Sequence, residues 1–143
     1  MTTKQILVNA KKHFLVITRH KLEVMKGCFK VGLYWQGLVH DLSKYSPTEF
    51  CVGVYYFQGD RSPNAAEREI KGASTAWMHH KGRNKHHYEY WSDAKMDKTG
   101  YECCDMPPKY FVEMIMDRIA ASKIYKGDGY TDEVPLNYLK NWD

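Results

Sequence analysis

The stretch that decides the fold is residues 107–129, PPKYFVEMIMDRIAASKIYKGDG. Pro107-Pro108 reads as a helix start, because proline holds φ near the helical value and lacks only an N–H that the first turn leaves unpaired. Gly127-Asp128-Gly129 reads as the stop. Between them Tyr110, Met114, Asp117, Ala121 and Ile124 recur at intervals of three and four, the spacing that lines one face of an α-helix. Asp117 is the odd member of that stripe. An ionised carboxylate cannot be buried alone without a penalty of several kcal/mol, so it needs a basic partner, a proton or a cation.

The same spacing recurs outward from this segment. A first helix runs from about Thr3 towards Gly27, with Ile6, Ala10, His13, Ile17, His20 and Val24 on one stripe. A second apolar segment, Val31 to Val39, ends at His40-Asp41. Ser46-Pro47-Thr48-Glu49 carries two start signals, a capping box and a first-turn proline, for a helix holding Phe50, Val54 and Phe57. Asn64 with Glu67 is a second capping box, opening a helix with the stripe Ala66, Ile70, Ala73, Trp77 and His80 that breaks at Lys81-Gly82-Arg83-Asn84. A short segment follows at 86–91, residues 92–106 look irregular, and Pro135 to Trp142 suits a last short helix. No pair of alternating strands is visible. The expectation is one all-α domain over residues 1–143, a compact irregular bundle of five to seven helices.

Composition narrows the function classes. The chain has 143 residues with a net charge of +4, too weak a basic balance to point to nucleic acid, and a 43% hydrophobic content that excludes disorder. No run of about 18 apolar residues is present, so no membrane partner is expected. The start of the chain lacks the apolar core of a secretory signal. Cys28, Cys51, Cys103 and Cys104 form no CxxC pair, which suits a reduced, cytoplasmic protein. Histidine is the unusual residue: four of the seven lie between residues 79 and 87.

The inward positions sort these histidines. His80 continues the Trp77 stripe, whereas His79 is rotated by about 100°. His20 lies on the inward face of the first helix, and Asp41 follows Leu38 at helical spacing beside His40. One inward histidine is usually a satisfied core residue. Several, with two inward aspartates on separate segments, point to a metal, because imidazole and carboxylate are the ligands of Zn, Fe, Mn, Co and Ni. His86-His87 adds a pair whose rings point different ways, suited to two neighbouring ions or to one ion and the substrate. His13 and His79 are expected to be bystanders, and Cys103-Cys104 a packing feature.

These residues carry a family resemblance. HDLSKYSPTEF, AWMHHKGRNKHHYEYW and VEMIMD resemble a small family of HD-like proteins of bacteria and their phages. The order His20, His40-Asp41, His80, His86-His87, Asp117 resembles the wider HD-domain superfamily of metal-dependent phosphohydrolases. The resemblance covers roughly residues 13–125 and implies a helical bundle holding two divalent transition-metal ions (Fe, Mn, Zn, Ni or Co). It implies His20, His40, Asp41, His80, His86, His87 and Asp117 as ligands, with Asp41 shared between the ions. Lys44, three residues after Asp41, would stabilise developing negative charge. Glu113, one turn before Asp117, would orient a ligand or a water, and Glu49 either does the same or caps its helix. Lys81, Arg83, Asn84 and Lys85 are the expected phosphate holders. The implied activity is hydrolysis of a nucleotide or small phosphoester in the cytoplasm (the host's, if phage-encoded). Two alternatives use the same ligands: an HD-fold diiron oxygenase, and a non-catalytic interaction protein with a retained metal site. Tyr34, Trp35, Tyr55, Tyr56, Tyr88 and Tyr90 are candidates for an aromatic pocket.

Overall fold

A computed structural model describes residues 1–140, the side chain of Leu139 excepted. Its α-helices are α1 (Thr3–Lys30), α2 (Tyr34–Val39), α3 (Pro47–Tyr55), α4 (Pro63–Lys71), α5 (Thr75–Lys81), α6 (Pro108–Lys126) and α7 (Glu133–Lys140). Short 3-10 turns cover Leu42–Tyr45, Tyr88–Trp91 and Gly127–Gly129. Proline in the first turn starts three of the helices, at Pro47, Pro63 and Pro108. The chain is an all-α bundle, as the 3.6-residue periodicity predicts.

The long helices α1 and α6 pack along each other, and α2 and α3 lean on α1. Gly27 permits the α1–α6 approach: a Cβ there would lie 2.9 Å from Met116 Sδ. The expected stop at Gly27 is therefore a close-packing position, and α1 runs on to Lys30. Val24, Cys28 and Ala120 form the buried apolar cluster, with Leu33 and Met116 against it. The largest fully buried side chains are otherwise polar: His40, His80, His86, Glu67 and Asp41 accompany Val24 and Cys28. The centre of this bundle is a set of titratable groups, the reverse of the usual interior.

Several local expectations change in three dimensions. The single helix expected over 64–81 is two helices, because Gly72 turns into the left-handed region at φ 78 and Ser74 caps α5 by accepting from Trp77 N at 3.0 Å. Ile70 is consequently exposed. Neither capping box forms: α4 begins one proline earlier, after Ser62, and Ser46 makes no side-chain cap bond. Glu67, wholly buried, instead accepts from Ser74 Oγ at 2.7 Å and Thr75 Oγ1 at 2.8 Å, holding the start of α5. On α1, Ile6 is exposed and Asn9 takes the inward position, donating to Val54 O at 3.1 Å. Residues 92–106 contain a small exposed antiparallel hairpin, β1 (Ser92–Ala94) with β2 (Tyr101–Cys103), where no strand pair was expected. The last helix begins at Glu133, and Trp142 lies outside the described residues. No helix among the described residues is long and apolar enough to cross a membrane.

Candidate metal centre

The centre is assembled around one turn. His40 ends α2, and Asp41 then adopts φ 54, ψ 24, a left-handed conformation that aspartate tolerates better than most side chains. Asp41 O accepts from Lys44 N at 3.0 Å, and this 3-10 turn folds the Lys44 ammonium back to 2.5 Å from Asp41 Oδ2. The three-residue spacing of Asp41 and Lys44 thus has a geometric cause. From α1, Lys21 donates to Leu38 O and His40 O, capping the carbonyl end of α2 and pinning the turn.

Four further segments bring side chains to Asp41. His20 comes from α1, His80 from α5, His86 and His87 from the loop after it, and Asp117 from α6. The two Asp41 oxygens face different partners. Oδ2 lies 3.2 Å from His40 Nε2 and 3.5 Å from His20 Nε2, and His20 Nε2 is 2.8 Å from Asp117 Oδ1. Oδ1 lies 3.3 Å from both His80 Nε2 and His86 Nε2. Potential ligand atoms of His20, His40, Asp41 and Asp117 all fall within 4.8 Å of one another, and so do those of Asp41, His80, His86 and His87. Asp41 is the member common to both groups. Its side chain is 2% exposed.

A layer of carboxylates sets the ring tautomers. Glu113 Oε1 accepts from His40 Nδ1 at 2.9 Å and from His86 Nδ1 at 3.1 Å. Glu49 accepts from His80 Nδ1 at 2.8 Å through one oxygen and from His79 Nδ1 at 2.6 Å through the other. An ionised carboxylate only accepts, so Nδ1 carries the proton in each neutral ring and Nε2 keeps an inward lone pair. His20, His40, His86 and His87 Nε2 and both Asp41 oxygens are buried and make no well-aligned hydrogen bond, although ion-pair contacts link most of them to one another, to Asp117 or to Lys44. Imidazole and carboxylate atoms converging on shared, buried space could hold a transition metal. The residues present fit one.

Burial opposes charge on His40 and His86, but the carboxylates around them, Asp41 foremost, outweigh it and raise both rings above the ordinary imidazole value, so a cation taking their Nε2 atoms would displace protons. Burial opposes charge on Asp41, but His40, Lys44 and His80 outweigh it and hold the carboxyl well below the usual range. Burial likewise opposes charge on Asp117, and hydrogen bonding and charge from His20 and His40 keep its carboxyl well below that range too. Burial, with His86 beside it, pushes His87 down to about 2, which leaves a neutral imidazole.

A family model described as "Family of unknown function (DUF5662)" matches residues 9–142. The chain belongs to the DUF5662 family. The matched span contains every side chain of the centre, from His20 to Asp117. No curated protein and no solved structure matches the chain.

Of the residues singled out in the sequence, the structure brings His20, His40, Asp41, His80, His86, His87 and Asp117 together, with Lys44 and Glu113 against them. It does not gather the run after α5 in the same way. Asn84 donates to Ser43 Oγ and His80 O, both at 2.8 Å, and so ties the loop to the Asp41 turn. The Lys85 ammonium lies over the Tyr90 and Tyr110 rings, and Arg83 is exposed with a long contact to His79 O. The aromatic pocket does not form, since Tyr34, Trp35 and Tyr55 are all more than 60% exposed. Cys103 and Cys104 are exposed beside the hairpin and join no metal-ligating cluster among the described residues. His79 and His13 join none of the metal-ligating groups among the described residues, as expected, yet each has a definite place. His79 holds Glu49, and His13 is buried against Phe50 and Phe57 with Nδ1 unpartnered. His13 lies on the inward stripe of α1, but the partners of both rings lie thirty or more residues away along the chain.

Proposed function

We propose that this protein is a metal-dependent phosphohydrolase acting on a small phosphoester at a dinuclear centre bridged by Asp41. The observation that carries the reading is the division of the Asp41 carboxylate. Oδ2 faces Nε2 of His20 and His40, Oδ1 faces Nε2 of His80 and His86, and the Lys44 ammonium sits on Oδ2. The resemblance of the ordered series His20, His40-Asp41, His80, His86-His87, Asp117 to HD-domain phosphohydrolases supports the same reaction class.

His20, His40 and Asp117 with Asp41 would hold one ion, and His80, His86 and His87 with Asp41 the other. When bound, divalent cations supply Lewis acidity toward a phosphoryl oxygen and toward water. The chain supplies the rest. Glu113 and Glu49 keep three imidazoles in the tautomer that presents Nε2 inward. Lys44 offers a fixed positive charge where phosphoryl oxygens gain negative charge, a preorganised contribution that needs no rearrangement during reaction. Burial of Asp41, His40, His80 and His86 excludes bulk water and strengthens each of these interactions.

The test is elemental analysis of purified protein, followed by phosphatase and phosphodiesterase panels with Mn, Co, Ni, Fe and Mg. Two equivalents of metal and turnover of a phosphoester are expected. Protein that stays inactive after metal reconstitution refutes the enzyme reading. A visible spectrum that changes when iron-loaded protein meets O₂ would instead favour diiron oxygen chemistry.

A further inference from the structure

A cleft opens beside the centre between α1, α3, the loop from Gly59 to Ser62 and the first residues of α4, Pro63 and Asn64. Lys44 and Glu49 line it, and both also belong to the centre: Lys44 is paired with Asp41, and Glu49 holds His80. The cleft therefore reaches the cluster at its inner end. Val16, Phe57 and the His13 ring form its wall, and Asn64 and Arg61 lie towards α4. His13, one of the lining residues, is 7% exposed, and its Nδ1 makes no hydrogen bond. At this edge α4 begins after Ser62 with no side-chain cap, and helix N-termini of this kind attract anions. Glu49 is the carboxylate of the lining, and both of its oxygens are already turned to His79 and His80. None of Lys81, Arg83 and Lys85 lines the cleft.

We propose that this cleft, rather than the basic run 81–85, receives the terminal phosphoryl group of a small phosphomonoester, with Lys44 at the junction between cleft and centre. The assignment rests on the phosphohydrolase reading above and narrows its substrate. The cavity of about 60 Å³ has room for a phosphoryl group beside Lys44, and the remainder of the molecule would extend past Arg61 and Asn64.

The probe is inorganic phosphate, titrated calorimetrically into Mn²⁺-loaded protein and into metal-free protein. Gly53→Ala is the blocking variant, since a Cβ there would lie 2.1 Å from His13 Nε2 and drive the ring out of place. Asn64→Leu perturbs the mouth of the cleft and serves if Gly53→Ala does not fold. The double variant Lys81→Gln/Lys85→Gln tests the competing loop. Metal content is expected to be native in all three. Phosphate binding should weaken at least tenfold in the cleft variants and stay within twofold of native in the loop variant. Methyl phosphate should compete with phosphate, and dimethyl phosphate at least tenfold less well. Phosphate binding kept in the cleft variants, lost in the loop variant, or absent from metal-loaded native protein overturns the proposal, and equal competition by dimethyl phosphate overturns the monoester assignment. Protein that takes up no metal refutes the phosphohydrolase reading instead, and the cleft is then judged by the same comparisons in the metal-free titrations.

Discussion

Replacing Glu113 by alanine tests the centre at the point where its two halves share a support. One oxygen of this carboxylate accepts from His40 Nδ1 at 2.9 Å and from His86 Nδ1 at 3.1 Å. The opposite nitrogens of those rings face different oxygens of Asp41, His40 Nε2 towards Oδ2 at 3.2 Å and His86 Nε2 towards Oδ1 at 3.3 Å. Glu113→Ala therefore frees one imidazole on each side. Loss of an outer carboxylate that orients a ligating histidine weakens metal binding by about 10- to 100-fold, or roughly 1.4–2.7 kcal/mol for each ion. Competition with a chromophoric chelator reads the two affinities, and circular dichroism confirms that the helices persist. Both equivalents should weaken in Glu113→Ala, and Glu113→Gln should fall between it and native, because a neutral amide oxygen still accepts but without charge. Glu23→Ala, on the outer side of α1, should bind as native. Native affinity for both equivalents in Glu113→Ala would refute the reasoning, and weakening of only one would show that a single ring depends on Glu113.

Asp41→Asn should leave the helical content intact and lower metal uptake from two equivalents to at most one, as elemental analysis would show; two retained equivalents would remove Asp41 from the bridging position. Lys44→Met should keep the metals and lower phosphoester turnover by at least 100-fold, with native turnover demoting Lys44 to a structural role. Glu67→Ala strips the acceptor from Ser74, Thr75 and Ala76 and should destabilise by about 2–3 kcal/mol, since the buried Ser74 hydroxyl and Ala76 N–H are left unpaired. At this chain length that is a fall in Tm of roughly 5–10 °C, read by thermal denaturation. Burial, with Lys44 nearby, lowers the His13 pKa to about 4 from the ordinary 6.5. Between those values the unfolded chain takes up a proton that the folded one refuses, so the folded state loses stability as pH falls from 6.5 towards 4, by at most about 3 kcal/mol. Urea unfolding of metal-free protein should show this loss, and His13→Gln should lack it.

The helices of this protein are legible because their signals are local. The stripe of α6, its opening prolines and its closing glycines lie within one another's reach along the chain. The candidate ligands are legible for a related reason: histidine and aspartate are expensive on an inward face, so each announces itself one segment at a time. Ser46-Glu49 and Asn64-Glu67 mislead for the opposite reason. A capping box is a contest between a local bond and any better partner the fold supplies, and Glu49 finds two imidazoles while Glu67 finds two hydroxyls. The run 81–85 adjoins His80 and His86 in sequence, but the cleft beside the centre is lined from α1, α3 and the start of α4. By itself the sequence determined the all-α class and which side chains must be reconciled with burial. Only the tertiary structure decided that Asp41 stands at their centre, with one oxygen for each group and a carboxylate behind three of the rings. Periodicity is a property of one helix at a time, whereas the convergence of lone pairs depends on how separate helices pack.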